Sequence, residues 1–210
     1  MDLEALKEAV ILGDVKGSSL LTEVAIQAGH SPQRILEEAL APAMEIVGDK
    51  FRCNEVYVPE VLMSARAMHA GLNVLKPFLA KAGIQPRGKV VLGTVKGDLH
   101  DIGKNLVGMM LQGAGFAVRD LGNDVTAEKF VQAAKEEGAQ SIGLSALLTT
   151  TMPNMKEVVA KFVESGLRKN VKILVGGAPL TAEYAKEIGA DGYAPDAAEA
   201  AELAAAMIPA

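Results

Sequence analysis

Cysteine is nearly absent from this chain: Cys53 is the only one in 210 residues. One thiol excludes an internal disulfide and supplies too few thiolates for a cysteine-based zinc or iron–sulfur site, which suits a reducing, cytoplasmic setting. Any metal must be held by other means. Arginine- or lysine-rich runs are also missing and the formal charge is -5, which argues against nucleic acid or an anionic membrane surface as the main partner. No long apolar run is free of charge. The stretch from Val56 to Ala80 is broken by Glu60, Arg66 and Lys76 at helical spacing, so no membrane span is expected. The start, Met1-Asp2-Leu3-Glu4-Ala5-Leu6-Lys7-Glu8, is acidic and amphipathic and does not read as a secretory signal.

Glycine is short where phosphate loops need it. Gly97 and Gly103-Lys104 enclose one residue too many for a Walker loop, and Asn105 stands where the magnesium-binding hydroxyl belongs. A dinucleotide fingerprint would need Gly-x-Gly-x-x-Gly at the same turn, which these two glycines do not supply. Small molecules and proteins remain as partners.

With half its residues hydrophobic, the chain can bury a substantial core as one large or two modest domains. Residues 1–82 read as helix after helix, a bundle of four. Ser31-Pro32 is a helix start, since Ser caps the free amides and Pro is preorganised at the first helical position. Ile35, Leu36, Leu40, Met44, Ile46 and Val47 recur with a helical period in the third segment. Val61, Leu62, Ala65, Met68, Leu72, Leu75 and Phe78 do so in the fourth. Met44, Met63 and Met68 read as gap-filling core residues. Residues 83–88, rich in Gly, Pro and charge, read as a linker. From 89 to 210 the pattern alternates. Strands are expected at 89–95, 116–120, 141–147, 171–176 and 191–194, with helices at 103–114, 126–137, 152–166, 181–188 and 196–208. Five such units imply an α/β fold, a doubly wound parallel sheet of flavodoxin-like order 2-1-3-4-5 behind an N-terminal four-helix cap.

That order gathers three loops at the carboxyl ends of the strands, where ligands of open α/β sheets bind. They are Asp98-Leu99-His100-Asp101-Ile102-Gly103, then Ser145-Ala146-Leu147-Leu148-Thr149-Thr150-Thr151, then Gly176-Gly177-Ala178-Pro179. A histidine with an acidic neighbour two residues away is a donor pair common in metal ligation, while the plainer alternative makes Asp98 a helix cap. Hydroxyls and a Gly pair after strands are ordinary caps and turns by themselves. Together on one rim they offer a metal bond, hydrogen bonds and bare backbone for a bulky ligand.

The string Thr94-Val95-Lys96-Gly97-Asp98-Leu99-His100-Asp101-Ile102-Gly103-Lys104-Asn105, with Ser145-x-Leu147 and Gly176-Gly177, resembles the cobalamin-binding module of corrinoid methyl-transfer proteins. That family includes methionine synthase and the small corrinoid proteins of methanol, methylamine and methoxyarene systems. The resemblance implies that His100 is the lower axial ligand of cobalt, oriented by Asp98, with Thr151 completing the relay where the family carries a serine. It implies that Ser145, Leu147, Gly176 and Gly177 line a slot for the displaced nucleotide tail, with Tyr193 to Asp196 at its far end. Asp101, Ile102, Gly103 and Thr149 join the cofactor-binding set. The helical half resembles the family's cap in Glu45-Ile46-Val47-Gly48-Asp49-Lys50-Phe51 and Val58-Pro59-Glu60, which implies that Phe51 and Val58 shield the methyl-bearing face of the corrin.

The function implied is that of a cobalamin- or corrinoid-bearing subunit of a multicomponent methyltransferase, cycling between methyl-Co(III) and Co(I) and not turning over alone. A substrate-specific methyltransferase would load it and an acceptor methyltransferase, with tetrahydrofolate as acceptor, would unload it, and a reductive activation protein would rescue it. A mutase module is disfavoured by the helical cap, and a cobalamin-responsive regulator by the lack of a DNA-binding segment after the last strand. A cofactor-free interaction domain on the same scaffold is separated from these by the absorption spectrum of the purified protein.

Overall fold

The computed structural model describes residues 3–208; Met1 and Asp2, which open the acidic N-terminal stretch, lie outside them. The chain divides into two compact units, one running to Pro86 and including residues 113–115, the other containing the rest.

The helical unit holds α1 (Glu4–Ile11), α2 (Val15–Gln27), α3 (Pro32–Ile35), α4 (Ala41–Arg52) and α5 (Val58–Lys81). Ser31 Oγ accepts from the Arg34 amide at 3.2 Å, with Pro32 in the first turn, as its sequence predicts. Between α3 and α4 the chain does not break; it passes through a π turn at Leu36–Leu40. Pro42, in the first turn of α4, has no N–H and its ring crowds the carbonyl four residues earlier, and a widened turn relieves that clash. Ile35, Leu40, Met44, Val47, Val61, Ala65, Met68 and Leu75 are buried as expected. Leu36, Ile46, Leu62 and Leu72 are only partly buried, and Phe78 is exposed. Met63 is a correction: it is 52% exposed, not a core filler, because its position on α5 falls between the buried Val61 and Ser64 on the outward side of the stripe.

In the second unit all strand pairs are parallel and the order is β2-β1-β3-β4-β5, the expected topology. The strands are β1 (Lys89–Thr94), β2 (Ala117–Asp120), β3 (Ser141–Ser145), β4 (Lys172–Gly176) and β5 (Gly192–Ala194), with α6 (Ile102–Gly113), α7 (Ala127–Glu137), α8 (Pro153–Glu164), α9 (Ala182–Glu187) and α10 (Ala197–Met207) between and after them. Val91, Ile142, Ile173 and Val175 on the sheet pack with Phe130, Met155 and Phe162 of the helices. Strand ends are in register: Thr94 pairs Ser145, Ser145 pairs Gly176, and Gly176 pairs Ala194. β3 stops two residues earlier than its apolar run predicts. The chain turns there, and the amides of Leu147 and Leu148 bond a side chain rather than a strand.

Candidate functional site

The side chain they bond is Asp98, which is fully buried. Asp98 Oδ1 accepts from the His100 amide at 3.1 Å and lies 2.7 Å from His100 Nδ1. Asp98 Oδ2 accepts from the Leu147 amide at 2.8 Å, the Leu148 amide at 3.3 Å and the Thr151 hydroxyl at 2.7 Å. Burial pushes this carboxyl up, but hydrogen bonds from Thr151, Leu147 and His100 outweigh it and hold the group well below the usual carboxylate range. Asp98 is therefore ionised and its carboxylate is spent on the rim, not on capping α6. An ionised acceptor 2.7 Å away fixes the proton on Nδ1. His100 Nε2 has no hydrogen-bond partner among the described residues, and the side chain is 49% exposed. The Thr151 hydroxyl also lies 2.9 Å from the Leu148 carbonyl, and its single proton goes to one acceptor at a time.

A second clamp, which the sequence reading missed, comes from the turn after β2. The Asp124 amide donates to the Asp98 carbonyl at 3.0 Å, Asp124 Oδ1 accepts from the Gly97 amide at 2.7 Å, and Asn123 Nδ2 donates to the Leu99 carbonyl at 3.2 Å. From the other side Asn154 Nδ2 donates to the Lys96 carbonyl at 2.6 Å, and Thr94 Oγ1 donates to the His100 carbonyl at 2.9 Å. The available signal was Gly122-Asn123-Asp124, a turn-forming triplet at a strand end.

Around His100 stand four large aliphatic side chains left in solvent: Leu99 and Ile102 from its own loop, Leu147 and Leu148 from the loop after β3. Such a group beside a buried carboxylate and the half-exposed histidine it holds marks a binding surface. A Cβ on Gly103, in the first turn of α6, would meet nothing. Asp101 is half-buried, Thr149 is exposed, and Ser145 is half-buried at the β3 end. Gly176 sits between Ser145 and Ala194, and a Cβ there would lie 3.2 Å from the Ala194 carbonyl oxygen. Gly177 has φ +138°, and its Cβ would come 1.8 Å from the Ala146 carbonyl oxygen. The chain itself requires glycine at 177, so Gly177 is no fold-neutral probe of a ligand slot. Tyr193, in β5, packs against the core cluster, and Asp196 Oδ1 caps α10 through the Glu199 amide at 2.8 Å. Phe51 and Val58 are half-buried in the helical unit, at the end of α4 and the start of α5.

Among the described residues no group of three or more His, Cys, Asp or Glu can hold a metal ion. One open imidazole with a carboxylate behind it fits a metal whose other positions are filled by a cofactor ring, and the exposed aliphatic rim fits a large apolar macrocycle face. The residues thus fit a cobalt corrinoid. No helix among the described residues is long and apolar enough to cross a membrane.

This chemistry defines a corrinoid-binding protein, and comparison with known proteins agrees. Residues 88–202 and 2–76 match two B12 binding domain families. A corrinoid protein of Desulfitobacterium hafniense (strain Y51) is 46% identical over 205 residues, covering 96% of this chain and 95% of the relative. Dimethylamine corrinoid protein 1 of Methanosarcina acetivorans is 44% identical over 208 residues, covering 98% and 97%. A chain of the methanol:cobalamin methyltransferase complex of Methanosarcina barkeri superposes with a TM-score of 0.86 at 32% identity, covering 98% of this chain and 79% of that one. The chain belongs to the B12-binding corrinoid proteins, and its cofactor is a cobalamin-type corrinoid.

Proposed function

We propose that this chain is the methyl carrier of a multicomponent methyltransferase, loaded by a substrate-specific methyltransferase and unloaded by a second one with tetrahydrofolate as acceptor. When bound, the corrinoid supplies the cobalt that accepts and releases the methyl group. The observation that carries the reading is the buried Asp98 carboxylate holding His100 by its amide and Nδ1 while Nε2 is left open. Asp98 stays ionised and keeps the Nδ1 proton, so His100 presents Nε2 as a metal ligand. Thr151 steadies Asp98 from behind. Leu99, Ile102, Leu147 and Leu148 exclude water beside the ligand, and Ser145 with Gly176 and Gly177 lines the path of the nucleotide tail. Phe51 and Val58 serve to shield the methyl group. The described residues contain no barrel, and in this reading methyl donor and acceptor are bound by the partner enzymes while a reductive activation protein restores the oxidised carrier.

The test is electron paramagnetic resonance of the protein loaded with hydroxocobalamin and reduced to Co(II). A nitrogen triplet splitting is expected, which becomes a doublet when the protein is labelled with 15N-histidine, and that doublet is lost in labelled His100→Ala. A triplet unchanged by the label would assign the ligand to the cofactor's own base and overturn the reading. Methyl transfer to tetrahydrofolate by the loaded carrier should require an added acceptor methyltransferase; transfer by the carrier alone would refute the carrier role.

A further inference from the structure

Lys104 is the one lysine among the buried polar residues of the described chain, and the site as derived so far does not use it. It lies in the first turn of α6, four residues after His100. Its side chain is 1% exposed. The ammonium pairs with Asp120 Oδ2 at the end of β2 and donates to Asn105 Oδ1 at 2.6 Å. A buried ammonium carries a large desolvation cost, so a lysine here is disfavoured unless its partners are well placed. The other oxygen of Asp120 accepts from the Gly122 amide at 2.8 Å.

That amide belongs to the turn that clamps the His100 loop. The turn is bent hard: Gly122 has φ +82° and Asp124, a residue with a Cβ, has φ +53°. Gly122 takes this conformation freely, whereas at Asp124 it carries a modest cost that the bonds to Gly97 and Asp98 offset. Asp124 in turn holds Gly97 and Asp98, and Asn123 holds Leu99. The contacts form a closed ring: from His100 along the chain to Lys104, across to Asp120, through the turn, and back to the backbone on either side of Asp98.

Resting on the reading of His100 as the metal ligand, we propose that the Lys104–Asp120 pair is a positioning element that fixes His100 from the β2 side of the sheet, as Asp98 and Thr151 fix it from the β3 side. Removing the ammonium frees Asp120 from α6 and lets the turn and the His100 loop shift together. The Asp98 bonds then hold the imidazole without fixing its height above the rim.

The test uses full-length Lys104→Met, which keeps an unbranched side chain one atom shorter and removes the charge, and Asp120→Asn, a milder change that leaves Lys104 in place. Both are loaded with hydroxocobalamin, reduced, and compared with wild type by the nitrogen splitting of Co(II). A fall in the histidine-bound fraction is expected in both, larger in Lys104→Met, with about a tenfold loss of hydroxocobalamin affinity, the lower end for changes behind a metal ligand. In the cofactor-free proteins, amide exchange at Gly97 and Asp124 should speed up while Ile173, whose amide is held by Asp191 at the opposite end of the sheet at 2.7 Å, keeps its protection. Equal acceleration at all three amides means the pair serves general stability and overturns the proposal. So does a full histidine splitting with wild-type affinity in Lys104→Met. Absence of histidine splitting in the wild type instead overturns His100 as ligand and removes this proposal with it.

Discussion

Replacing Asp98 with Asn tests the site at its centre, because the structure assigns a partner to each side of the carboxylate. In one amide orientation Oδ1 still accepts from the His100 amide and Nδ1, and the NH2 group faces the amides of Leu147 and Leu148 and the Thr151 hydroxyl. Thr151 can adapt by accepting from the NH2 and donating to the Leu148 carbonyl. The Leu147 amide cannot: a buried donor meets a donor, at a cost of about 1–3 kcal/mol. Loss of charge from the bonds that survive removes roughly 1 kcal/mol more. In the other orientation Oδ1 satisfies the β3 loop, but the NH2 group now opposes the His100 amide and can meet Nδ1 only if the imidazole proton moves to Nε2. That tautomer has no lone pair for a metal. Asp98→Asn should therefore lose about 3 kcal/mol in urea unfolding of the cofactor-free protein at pH 7, or lose histidine ligation, and a mixture of the two is expected. The stability difference also has a pH signature. A carboxyl whose folded value lies below its unfolded value of about 4 stabilises fully above that unfolded value and loses its contribution as pH falls through the folded one. The gap between wild type and variant should hold steady from pH 7 to about 5 and shrink as pH is lowered from there toward 3. A variant within about 0.5 kcal/mol of wild type at pH 7 with its splitting intact, or a gap that widens in acid, would refute the reasoning.

Thr151→Ser should keep stability and histidine splitting, because the hydroxyl is retained, whereas Thr151→Val should lose roughly 1–2 kcal/mol in urea unfolding by leaving Asp98 Oδ2 one donor short. Gly177→Ala should fail to accumulate as folded protein, since its Cβ would lie 1.8 Å from the Ala146 carbonyl oxygen, and Gly103→Ala should unfold within about 0.5 kcal/mol of wild type because nothing stands within 4 Å. Phe51→Ala should raise the photolysis yield of the methylated protein under anaerobic light without changing hydroxocobalamin affinity; an unchanged yield would remove Phe51 from the shielding role.

The topology was legible because β-strands at 90–92 and 173–175 read as unbroken apolar runs and turn residues marked their ends. The local motif pointed at His100 and Asp98 for the same reason: they are two residues apart. Thr151 is 53 residues from Asp98, and only the family resemblance connected them. Pairs formed by the fold alone were invisible. Nothing in the sequence joins Lys104 to Asp120, 16 residues apart, since sequence spacing cannot tell a solvated ammonium from one that is 1% exposed. The π turn before Pro42 escaped because helical periodicity continues through it.

Glycine shows the limit most clearly. Gly103 and Gly177 both stand in segments that match the corrinoid family, and from sequence both could be clearing space for a cofactor. A Cβ at 103 meets open space, and one at 177 meets the Ala146 backbone. Gly177 is therefore required by the protein's own turn whether or not a cofactor binds. A loss of cofactor in a Gly177 variant would report misfolding, whereas the same loss in a folded Gly103 variant would report the binding surface itself.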